Sequence, residues 1–97
     1  MNRVNELLSQ TIDLLNECGW HDKAEWYRQV KEDLNTADPA SPQFKEQIEK
    51  LDKSLCGMGA FSDIPLQSQS GKLSLQEIRD LQWKLVDELG QAIVNLR

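Results

Sequence analysis
Apolar residues recur at intervals of three and four along four separate stretches of this chain, and no run alternates apolar with polar long enough to make a strand. With about 3.6 residues per helical turn, that spacing sets them along one face of a helix, and each such face must be covered by another. The expected fold class is therefore all-α: a compact bundle of about four helices, the longest at the C-terminus, with an irregular Gly-Met-Gly loop between helices three and four. Ninety-seven residues allow a single domain over 1–97, because so short a chain cannot divide its buried surface between two cores.

In the first stretch Val4, Leu7, Leu8, Ile12, Leu15 and Cys18, with Leu14 beside them, line one wide face that ends at Gly19, a residue able to cap a helix in the left-handed conformation. Asp22 is the expected N-cap of the second helix, whose stripe runs Ala24, Tyr27, Val30 or Lys31, and Leu34, with Trp26 widening it. The polar stretch from Asn35 to Pro42 interrupts the period, and Ser41 before Pro42 supplies an N-cap followed by a proline whose missing N–H does no harm in the first turn. Phe44, Ile48, Leu51 and Leu55 then mark helix three. Ser74-Leu75-Gln76-Glu77 spells a capping box, with Leu73 and Ile78 placed as a hydrophobic staple. From there Leu75, Ile78, Leu81, Leu85, Leu89, Ala92 or Ile93, and Leu96 carry helix four to the end, with Gly90 as a weak point.

Between helices three and four lies CGMGAFSDIPL, followed by QSQSGK, which reads as a flexible polar connector. A phosphate loop would require Gly-Lys-Ser/Thr at a helix start after a strand, and Gly57 and Gly59 lead instead into Ala60 and Phe61. A calcium loop would need alternating oxygen ligands where Asp63 stands alone. The structural reading accounts for more residues. Gly57 ends helix three; Met58, Phe61, Ile64 and Leu66 fold back over the bundle; Asp63 bonds nearby backbone donors; and Gly59 supplies a second flexible point.

Two cysteines and one histidine, with no CxxC, neither build a disulfide framework nor offer ordinary zinc-ligand spacing, so no metal and no cofactor are expected and both thiols are read as buried. The net charge of -5 opposes direct nucleic-acid binding and favours a basic partner surface. No apolar run reaches the roughly 20 residues needed to span a bilayer, and MNRVNELLSQTIDLL lacks the apolar block of a secretory signal, so the expected location is cytoplasmic, without membrane association. Nothing resembles a catalytic constellation, and the reading is of a binding protein rather than an enzyme.

GMGAFSDIPL resembles the GGMGS(F/L)(N/S)D(L/I)xL element of a family of small bacterial proteins. Gly57, Met58, Gly59, Phe61, Ser62, Asp63, Ile64 and Leu66 match it, while Cys56 replaces the first glycine and Ala60 the serine. WHDKAEWYRQVKEDL, Trp20 to Leu34, is similar to the same family's tryptophan-bearing second helix. The resemblance implies a helical immunity protein of a polymorphic toxin system such as contact-dependent growth inhibition, without catalytic residues of its own.

On that implication the partner is one cognate toxin domain, a basic nuclease such as an RNase, bound one to one with its active site covered. The acidic candidates for contact are Asp13, Glu17, Asp22, Glu25, Glu32, Asp33, Asp87 and Glu88, each of which also reads as an ordinary solvated helix residue. Glu46 with Lys50 and Glu49 with Lys53 have the spacing of surface pairs. Trp83 lies off the stripe of helix four and is a candidate anchor. It serves equally the alternative, a housekeeping helical adaptor or assembly protein that dimerises through helix four.

Overall fold
In a computed structural model, which describes residues 2–56 and 60–96, four α-helices follow in order: α1 (Asn2–Glu17), α2 (His21–Thr36), α3 (Pro42–Leu55) and α4 (Leu75–Leu96). A short 3-10 turn, Phe61–Asp63, interrupts the segment between α3 and α4. The glycines and methionine singled out at 57, 58 and 59 lie outside the described residues. α1 packs against both α2 and α4, α3 bridges α2 and α4, and the 3-10 turn sits against α3 and α4. The result measures 42 × 25 × 20 Å, its long dimension set by α4, whose 22 residues span about 33 Å.

The stripes read from the sequence become the core. Leu7, Leu8 and Leu15 from α1, Leu51 from α3, and Leu85, Leu89 and Ile93 from α4 are wholly buried, and Tyr27, Val30 and Leu34 join them from α2. Two assignments change. Trp26 is 41% exposed, because it stands one residue, and so about 100°, around the helix from Tyr27, which holds the centre of the buried face. Leu75 is 65% exposed at the first turn of α4, about 60° around the helix from the buried Ile78.

The helix ends show how local chemistry sets the turns. Gly19 takes φ +81, the Trp20 N–H reaches the Leu15 carbonyl at 2.8 Å and the Gly19 N–H reaches that of Asn16 at 3.1 Å: a Schellman ending, with Trp20 packed on the core. α2 starts at once, at His21, so Asp22 falls inside its first turn and is not the N-cap; that position belongs to Trp20, which makes no side-chain cap. Ser41 caps α3 by accepting from the Phe44 N–H at 3.2 Å. At α4 Ser74 Oγ accepts from the Glu77 N–H at 3.1 Å and Glu77 Oε1 accepts from the Ser74 N–H at 3.3 Å, both halves of the capping box.

The 3-10 turn and the segment after it lie over the bundle, with Phe61, Ile64 and Leu66 buried. They are held by a residue that periodicity does not single out. Gln82, buried on α4, donates from Nε2 to the carbonyls of Phe61 at 2.7 Å and Ile64 at 3.1 Å. The polar connector is tied down as well. The Gln69 N–H donates to the Glu17 carbonyl at 2.9 Å, and the Glu17 carboxylate accepts from the hydroxyls of Ser68 and Ser70 and from the Ser70 N–H. Carbonyls at the end of a helix lack intrahelical partners, so the connector closes off the C-terminus of α1 rather than hanging free.

Candidate functional site
Two surface features stand out where α2, α3 and the 3-10 turn converge, and along the outer face of α4. The first is a cleft of about 470 Å³. One wall is aromatic: Trp26, Tyr27 and Phe61 follow each other edge to face, with ring centroids 5.0 and 6.1 Å apart. Ile64 and Ala60 complete the apolar lining, and Asp22, Lys23, Lys53, Ser54 and Cys56 contribute the polar side. The Tyr27 hydroxyl donates to Ser54 Oγ at 2.9 Å, and Ser54 in turn donates to the Leu51 carbonyl at 2.6 Å, which fixes the ring between α2 and α3. Burial pushes the Tyr27 phenol above its ordinary range, so it stays protonated and a donor at neutral pH.

Cys56 is exposed, and only Cys18 is the buried thiol expected of both; Cys56 follows the last turn of α3 in extended backbone, outside the stripe that buries Leu55. His21 is exposed and its Nδ1 meets Asn16 Oδ1 at 2.9 Å, with no hydrogen bond to either cysteine. Asp63 is exposed at the end of the 3-10 turn, where its backbone N–H reaches the Ala60 carbonyl at 2.9 Å. Among the described residues no group of three His, Cys, Asp or Glu side chains is placed to hold a metal ion, and no helix is long and apolar enough to cross a membrane.

The second feature is the solvent side of α4. Trp83 is 55% exposed and Val94 59%, eleven residues apart and so on nearly the same line of the helix, about 16 Å along it. Asp80 and Asp87 stand one turn to either side of Trp83, and Gly90 lies between Trp83 and Val94. Asp80 accepts from Gln76 Nε2 at 2.8 Å, while Asp87 makes no hydrogen bond or ion pair among the described residues.

The eight acidic candidates separate by what their carboxylates already do. Glu25 and Glu32 both grip Arg28, through a two-point contact with Glu25 and a 2.6 Å contact with Glu32, so α2 neutralises much of its own charge there. Glu17 is occupied by the connector, and its hydrogen bonds from Ser68 and Ser70 hold its carboxyl below the usual range. Glu88 faces Arg3 at 3.0 Å, an ion pair that lacks hydrogen-bond alignment. Asp33 accepts from Gln29 at 3.1 Å. Asp13, Asp22 and Asp87 remain without such partners among the described residues, on three different helices. The pairs Glu46 with Lys50 and Glu49 with Lys53 do not close to within 4 Å, which leaves Lys53 available at the cleft.

No protein-family model, curated protein or solved structure matches the chain.

Proposed function
We propose that this protein is an immunity-type inhibitor that binds one toxin domain, a basic nuclease, and covers its substrate site with the outer face of α4. The observation that carries this reading is Trp83, a large indole left half in solvent beside Asp80 and Asp87 on the longest helix. Buried interface energy concentrates in such aromatic anchors, and carboxylates around one suit a surface built to hold phosphates. The engaged carboxylates of Glu17, Glu25, Glu32 and Glu88 are the weaker candidates, because a partner would have to break existing contacts to use them. The motif resemblance around Phe61 to Leu66 supplies the partner class.

Growth protection tests this. Co-expressed with the toxin domain encoded immediately upstream, the wild-type chain is expected to protect. Trp83→Ala and Asp87→Lys should each abolish protection, and Asp13→Lys should leave it intact. Absence of wild-type protection overturns the function, and protection by both α4 variants overturns the face.

The same face supports a second reading, a homodimer. Gly90 carries no side chain seven residues from Trp83 on the same side, and a Cβ there would meet nothing within 4 Å, so an antiparallel copy has room to lay its indole at that point. Sedimentation at micromolar concentration distinguishes a monomer from this dimer.

A further inference from the structure
The cleft between α2, α3 and the 3-10 turn plays no part in that reading, and its lining sets two lysines beside an aromatic wall. In a chain of net charge -5 it presents two lysines against one aspartate, and neither Lys23 nor Lys53 forms an ion pair among the described residues. Its volume of about 470 Å³ lies within the ~300 to 1,000 Å³ of small-molecule sites, which combine an apolar floor with a few placed polar groups. Here the floor is Phe61 and Ile64 and the wall is the half-exposed face of Trp26, a surface for a flat ring to stack on. The Tyr27 hydroxyl donates to Ser54 and Ser54 to the Leu51 carbonyl, so the cationic ends of Lys23 and Lys53 are the groups left to meet a ligand's charge.

We propose that this cleft binds a small planar aromatic anion, its ring against Trp26 and Phe61 and its carboxylate or sulfonate between Lys23 and Lys53. The two features add to one another. A ring alone would gain the apolar contacts but leave the ammonium groups unmatched, and a small anion alone would meet an apolar floor in a protein whose overall charge repels it.

Two fluorescent probes separate the contributions: anilinonaphthalene sulfonate and its uncharged analogue phenylnaphthylamine, which has the same rings without the sulfonate. The anion is expected to bind with a stoichiometry of one and about tenfold more tightly than the neutral probe, a preference that added salt reduces. Replacing both Lys23→Gln and Lys53→Gln should remove the preference while leaving phenylnaphthylamine affinity unchanged. Trp26→Ala should weaken both probes, and thermal melting of each variant confirms that the fold is kept. Equal affinity for the two probes, a preference that survives in the double lysine variant, more than one bound anion per chain, or no binding of either probe overturns the proposal.

Discussion

Gln82 and Glu17 do at the residue scale what no periodic pattern announces. Gln82 holds two carbonyls that the cover over the bundle would otherwise bury without donors, and its partners lie 21 and 18 residues away. Gln82→Met keeps the volume and removes both donations, so it should cost about 1 to 3 kcal/mol, read as a lower denaturation midpoint. Glu17 makes a pH-dependent contribution. Its folded carboxyl is held below the ordinary range by Ser68 and Ser70, so its stabilisation is fully present above the unfolded value of about 4.3 and is lost as pH falls through the lower folded value. Glu17→Gln should therefore lower the melting temperature at pH 7, and the gap from wild type should close as acid is added below pH ~4. A gap that stays constant to pH 3 would show that the tie does not depend on the charge of the Glu17 carboxylate. Neither role was legible in the sequence, because glutamine and glutamate on a helix look alike whether they face water or a loop fifty residues away. Thr11 makes the same point: wholly buried, it donates to the Leu7 carbonyl at 2.9 Å within its own helix and so passes for a surface position.

At the scale of the element, starts and stops with local chemistry were legible and those set by neighbours were not. Ser41 and Ser74 cap the helices that their sequences specify, since both ends of each bond lie within three residues. Asp22 was misplaced because the Schellman ending at Gly19 leaves only three residues between α1 and α2, so α2 begins earlier than a side-chain cap at Asp22 would set it. Gly19→Ala should destabilise by about 1 to 2 kcal/mol, since a side chain at φ +81 is strained and the new Cβ would stand 3.2 Å from Gln69 Cγ. Gly90→Ala should do the opposite. Inside α4 its Cβ meets nothing, so the fold should gain up to ~1 kcal/mol of helix propensity. Equal melting temperatures for the two variants would contradict both assignments. The connector was misread for a related reason: QSQSGK has the composition of a free linker, and only the folded chain brings Ser68, Gln69 and Ser70 to the end of α1.

For the whole molecule, the four-helix architecture followed from period alone, because a 3.6-residue stripe fixes which face is buried without regard to the partner that buries it. The distribution of usable charge did not follow. Sixteen acidic residues look diffuse in the sequence, and folding sets Arg28 between Glu25 and Glu32 and Arg3 beside Glu88, leaving Asp87 near Trp83 on α4 and Asp22 near Trp26 at the cleft as unengaged carboxylates beside an exposed aromatic. The cleft lysines stayed hidden because Lys23 and Lys53 belong to different helices and come to line one cleft only through packing. Calorimetric titration of the upstream-encoded toxin domain with wild-type chain, Trp83→Ala and Asp13→Lys, at two salt concentrations, tests the central claim most directly. The proposed function requires one-to-one binding that weakens with salt, a loss of at least about 2 kcal/mol on removing the indole, and no loss for Asp13→Lys. Wild-type affinity in the Trp83→Ala variant, or no binding by the unaltered chain, would contradict it.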